Sequence, residues 1–99
     1  MDKREAVEIL TKYKIVVSKY FDLDKMVLFG SYARGNQKDE SDIDVAIVVN
    51  SINGDFFTYA PLLWKLRRDI DERIEPILID NNHDESGFLK EVLNYGVVI

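Results

Sequence analysis

One stretch of this chain sets two carboxylates at the mouth of an otherwise apolar strand. Asp42-Ile-Asp-Val-Ala-Ile-Val-Val49 places Asp42, Asp44, Ala46 and Val48 on one face and Ile43, Val45, Ile47 and Val49 on the other. Two acids side by side at such a strand are costly unless a cation neutralises them. Oxygen donors of this kind suit magnesium or manganese, which keep water and substrate phosphate in their remaining positions.

A second signal, Gly30-Ser31, precedes Asp42 with ten residues between, and follows the β-branched and aromatic run Val27 to Phe29. That run predicts a short buried strand. Ser31 is expected to cap a brief helix through Tyr32, Ala33 and Arg34, which Gly35 stops. Backbone N–H groups at such a corner can cradle phosphate oxygens, and Gly30 allows close backbone approach. Arg34 either adds charge-assisted contacts to phosphate or belongs to a structural ion pair. Together the two signals describe a site for a metal-bound nucleoside triphosphate and point to nucleotidyl transfer. Glu75 is the candidate third carboxylate, inside the strand-like run Arg73 to Asp80; its alternative is a surface acid. Pro76 beside it cannot donate a ladder hydrogen bond, which predicts a strand edge or bulge.

Helical spacing of Ala6, Ile9, Leu10, Tyr13, Val16, Val17 and Tyr20 predicts a first helix over about Lys3 to Tyr20. Asp22 to Asp24 turn the chain into the first strand. After the Asp42–Val49 strand, Asn50 to Gly54 read as a loop. Thr58 is expected to cap a helix through Asp71, with Pro61 in its first turn and Tyr59, Leu62, Leu63, Leu66 and Ile70 inward. Asn81 to Ser86 read as a polar loop before a short helix from Gly87 to Asn94, with Phe88, Leu89, Val92 and Leu93 inward and Gly96 as its stop. Val97-Val98-Ile99 is apolar and should pair with a sheet edge or a partner, which leaves an oligomer open.

Ninety-nine residues at 46% hydrophobic content describe one globular domain over 1–99. The net charge is −5, and the segment from Asp39 to Asn50 holds four acids and no base. That balance excludes a protein built to hold nucleic acid through its backbone charge. Lys65, Arg67 and Arg68 form a basic cluster that reads as a solvated helix face. Ser41 reads as a turn cap, His83 as an exposed loop residue, and Trp64 as edge packing or a partner surface. With no cysteine, neither disulfides nor thiolate metal sites exist. No membrane-length apolar run or signal peptide is present, so no membrane partner is expected and the location is read as cytoplasmic.

The Gly-Ser, ten residues, Asp-x-Asp pattern, with Ala33-Arg34-Gly35 and Ser41 also fitting, resembles the minimal nucleotidyltransferase domains of the DNA polymerase β-type superfamily. These are the small prokaryotic kind often paired with a HEPN-domain protein. The resemblance covers nearly the whole chain. It implies an α+β fold of two layers, a small mixed β-sheet with helices packed on it. It also implies that Gly30 and Ser31 hold the triphosphate, that Asp42 and Asp44 bind two magnesium or manganese ions, and that the third carboxylate falls on Glu75, where the family commonly has aspartate. The implied reaction moves a nucleoside monophosphate, AMP from ATP, to a hydroxyl of a partner protein, the HEPN toxin of a toxin–antitoxin pair. Two alternatives remain: a non-catalytic antitoxin that acts by occlusion, and transfer to a small molecule.

Overall fold

The structure, a computed structural model, describes residues 1–50, 52, 56–84 and 86–99. Its elements run in the order α1 (Lys3–Val17), β1 (Leu23–Leu28), α2 (Gly30–Arg34), β2 (Ile43–Val49), α3 (Phe56–Leu66), β3 (Ile74–Asp80), α4 (Phe88–Tyr95) and β4 (Val97–Val98). The strands form one mixed sheet in the order β3-β2-β1-β4. β1 is antiparallel to both β2 and β4, whereas β2 and β3 are parallel. This is the small mixed sheet of an α+β fold that the sequence implies.

β2 lies inside the sheet because both of its faces are apolar, and Val45 to Val49 are fully buried. Ile43, Val45, Ile47 and Val49 pack with Ala6, Leu10, Tyr13 and Val17 of α1, Tyr32 of α2 and Leu63 of α3. The opposite parity, Ala46 and Val48, packs with Val27, Ile79 and the α4 residues Leu89 and Val92. Helices therefore cover both faces, with α4 on the side of Ala46 and Val48. Gly96 makes its close fit possible. A β-carbon there would stand 2.5 Å from Val27 Cγ1, 2.6 Å from the Val92 carbonyl and 2.9 Å from the Leu28 carbonyl.

Pro76 sits where a proline does least harm. β3 is an edge strand, and its ladder to β2 includes Ile43 N–H to the Arg73 carbonyl (2.8 Å) and Asn81 N–H to the Val49 carbonyl (2.9 Å). Odd-numbered residues of β3 carry that ladder, so the missing N–H of Pro76 falls on the outward side. Val97 and Val98 pair with Leu28 and Val27, as their apolar character predicts. The segment is tied further by Ile99 N–H to the Met26 carbonyl (2.8 Å) and by Lys14 Nζ to the Ile99 carbonyl (2.7 Å).

Several local readings need correction. The first helix ends at Val17 and Tyr20 is exposed, because Ser18 to Tyr20 form a turn outside the inward stripe. Asp2, whose carboxylate accepts from Glu5 N–H (2.9 Å), caps its start. β1 begins at Leu23, inside the expected turn. α3 begins at Phe56, so Thr58 lies within it and Pro61 falls past its first turn, where the helix forgoes one interior hydrogen bond. It gives way after Leu66 to a single 3-10 turn, Arg67–Asp69, and does not reach Asp71. Leu93 is exposed on α4, one side of the stripe that Leu89 and Val92 bury. Arg67 is no solvated cation: it donates to the Glu72 and Ile74 carbonyls and covers the Trp64 ring at 4.8 Å. The Asn50–Gly54 and Asn81–Ser86 loop readings fall partly on residues 51, 53, 54 and 85, outside the described residues. Among the described residues no helix is long and apolar enough to cross a membrane.

Candidate active site

The two sequence signals meet at one end of the sheet. β1 runs directly into α2, and Phe29 N–H bonds to the Asp44 carbonyl (3.0 Å), which pins the corner to β2. Gly30 has φ of +70°, a conformation open to glycine, and its Cα faces the Asp44 side chain. A β-carbon at position 30 would run into the Asp44 carboxylate and stand 3.0 Å from its Cγ and 3.1 Å from its Cβ. Gly30 is thus the residue that lets the corner lie on the carboxylate.

Ser31 does not cap α2: Phe29 takes the N-cap position, without any side-chain cap bond. Position 31 is already helical, so its hydroxyl lies past the point from which it could reach the first free N–H groups. The Ser31 carbonyl instead accepts from Gly35 and Asn36 N–H. Gly35, at φ of +79°, ends the helix as expected. Ser41 caps a turn, accepting from Lys38 N–H at 2.8 Å.

Asp42 stands just before β2, exposed, while Asp44 is half-buried within the strand. The parallel register sets Asp44 directly opposite Glu75 on β3. The Glu75 carboxyl hydrogen-bonds both Asp42 and Asp44. Burial, then the Asp42 and Asp44 charges and these bonds, push the Glu75 pKa above the usual carboxylate range. Burial also raises Asp44, with the Asp42 charge adding to it and the bond from Glu75 opposing it. Among the described residues no three His, Cys, Asp or Glu side chains converge as a ready-made metal cage.

Arg34 ends α2, exposed, and its guanidinium lies over the ring of Tyr95 at 4.2 Å from the centroid. None of the salt bridges among the described residues involves it. The sequence reading missed Tyr95; its signal was an aromatic closing the last helix immediately before a glycine. On the far side of the acids, a cleft of about 380 Å³ starts at Ile77, the residue after Glu75 on the same strand face. Ile79, Phe88 and Ser86 line it together with Asp80, His83 and Asp84. His83 is exposed, as expected, and meets Asp80 Oδ2 through Nδ1 at 3.1 Å.

A mixed sheet that sets a glycine corner and an Asp-x-Asp strand against a third carboxylate defines the nucleotidyltransferase class. Residues 11–99 match the family model described as "Polymerase beta, Nucleotidyltransferase", and the chain belongs to that family. It is similar to "Putative protein adenylyltransferase MJ0141" of Methanocaldococcus jannaschii, 36% identical over 96% of this chain and 99% of the relative. Its fold is similar to the crystal structure of "a putative nucleotidyltransferase from Sulfolobus solfataricus", with a TM-score of 0.73 at 23% identity over 97% of this chain and 80% of the other. A crystal structure titled "the toxin-antitoxin with AMP-PNP" has the same fold, with a TM-score of 0.60 at 23% identity over 99% of this chain and 72% of the other.

Proposed function

We propose that the 99 residues act as one nucleotidyltransferase domain that moves AMP from ATP to a hydroxyl of a partner protein, a HEPN-domain toxin held in check by the modification. The observation that carries this reading is the packing of the Gly30 corner on Asp44, with Glu75 opposite. It sets the backbone of the corner beside Asp44 and Glu75. The adenylyltransferase name of the methanogen relative supports the reaction, and the toxin–antitoxin title of the structural neighbour supports the partner.

The acid set offers oxygen donors alone, the chemistry of a hard divalent cation, and Asp42, Asp44 and Glu75 would hold magnesium or manganese. The cation would supply charge neutralisation and activate the acceptor hydroxyl. The chain's own residues do the rest. Backbone N–H groups of the Gly30-Ser31 corner, with Arg34 beside them, bind the triphosphate. The acceptor oxygen forms a bond to the α-phosphorus while the bond to pyrophosphate breaks. Glu75, opposite Asp44, takes the acceptor proton. In-line displacement puts acceptor and leaving group on opposite sides of phosphorus. With pyrophosphate toward α2, the acceptor enters from β3, where the apolar cleft at Ile77 opens. Reaction by positioning and electrostatics fits a scaffold this small.

The test is intact-mass spectrometry of the cognate partner after incubation with metal-ATP and this protein. One AMP adds roughly 329 Da, the group increment for such a displacement. Asp42→Ala with Asp44→Ala should abolish the increment while the two proteins still associate. Neutralisation by that inactive variant, with no mass shift from either protein, would replace transfer with occlusion; a shift on a small-molecule acceptor instead would reassign the substrate.

A further inference from the structure

Among the described residues Arg34 takes part in no salt bridge, and its guanidinium lies over the ring of Tyr95 at 4.2 Å. Asp44 shares the face of β2 whose Ala46 and Val48 pack against α4, and Arg34 lies over Tyr95 of that helix, so the guanidinium stands on the same side of the sheet as Asp44.

Tyr95 is itself held firmly. It is the last residue of α4, and Gly96 after it lies so close to Val27 and Leu28 that no side chain fits. Leu89 and Val92 anchor the same helix in the core beside Val27 and Ala46. Phe88, at the helix start, meets Phe29 edge to face with centroids 5.5 Å apart. α4 thus presents the Tyr95 ring at a set height beside α2.

We infer that Tyr95 is a positioning residue for triphosphate binding: its ring holds the Arg34 guanidinium beside the Gly30 corner with its edge free for phosphate oxygens. A cation held through the face of an aromatic ring keeps its in-plane N–H donors for an anion, whereas a carboxylate partner would occupy them. The inference rests on the nucleotidyl-transfer reading of the site.

The experiment combines two measurements on the full chain. The Arg34 Nε–H resonance in the nucleotide-free protein should be ring-current shifted in the parent and in Tyr95→Phe, and should lose that shift in Tyr95→Ala. With metal-ATP, Tyr95→Ala should raise Kd and KM by about two- to fivefold, the scale of an exposed cation–π contact, with kcat unchanged. Tyr95→Phe should match the parent, and Tyr95→Ala should cost nothing further in an Arg34→Ala background. An unshifted Arg34 resonance in the parent overturns the inference. So does Tyr95→Ala binding ATP as tightly as the parent, or additive losses in the double variant. If the resonance behaves as expected but the parent binds no metal-ATP, the reading of the whole site falls, and this inference with it.

Discussion

Replacing Gly30 with alanine tests the site's construction directly, because two separable costs meet there. At φ of +70° a β-carbon costs about 1–2 kcal/mol in backbone strain. The same β-carbon would displace the Asp44 carboxylate from its rotamer, at about 0.5–1.5 kcal/mol. Alanine also restricts the unfolded chain, which offsets about 0.4–1 kcal/mol. The expected net loss is about 2 kcal/mol, a fall in Tm of roughly 8–15 °C for a domain of this size. Gly35→Ala is the built-in control: its φ is +79°, but nothing lies within 4 Å of its would-be β-carbon. It should show the backbone cost alone, so denaturant titrations should place Gly30→Ala about 1 kcal/mol below Gly35→Ala, the share assigned to Asp44. Calorimetry should find metal-dependent ATP binding weakened in Gly30→Ala and kept in Gly35→Ala. Equal stability and equal binding in the two variants would refute the idea that Gly30 serves to bring the corner onto Asp44.

Other consequences follow from the same geometry. Asp44 and Glu75 have folded-state pKa values raised above their unfolded ones, so their contribution to stability is present at low pH and lost as pH rises through the folded values. In metal-free buffer at neutral pH, Asp44→Asn and Glu75→Gln should therefore melt higher than the parent, with the gain vanishing in acid; lower melting at neutral pH would contradict it. Glu75→Gln should reduce transfer strongly while leaving triphosphate binding nearly intact, because the corner and the aspartates still hold the phosphates; unchanged turnover would demote Glu75 to a surface acid. Gly96→Ala should cost about 1–3 kcal/mol by overpacking against backbone that cannot yield, read as a lower denaturation midpoint.

Much of this was legible in the sequence because the relevant signals are local. Alternation along Ile43 to Val49 marks a doubly apolar strand, and a positive-φ glycine after Arg34 marks a helix stop; both appear where the pattern puts them. Asp44 and Glu75 stand opposite each other, since one strand and one parallel neighbour suffice to place them. What the sequence concealed depends on contacts between distant segments. Nothing near Ser31 says that Phe29 takes the cap position, because that follows from the bond between Phe29 and β2. The pairing of Arg34 with Tyr95 joins residues 61 positions apart, and Arg67 is drawn from solvent by carbonyls of the turn that follows it.

The placement of α4 leaves part of this sheet face uncovered. Val27, Ala46, Val48 and Ile79 are covered by that helix, and the same strand face continues into Ile77, Asp44 and Glu75 beyond it. A helix shifted toward those residues would bury Ile77, which is 42% exposed, and gain a share of the roughly 1.5–3 kcal/mol that a fully covered isoleucine contributes. It would also close over three acids that already repel one another, and desolvating their charges would exceed that gain. Covering this strip would therefore destabilise the fold more than leaving Ile77 open does. Burial forgone at Ile77, a backbone conformation at Gly30 that suits glycine alone, and repulsion held between Asp44 and Glu75 all fall within one small region. Departures from the most stable packing that gather in this way, rather than scatter, are what a chain shows where function has shaped it.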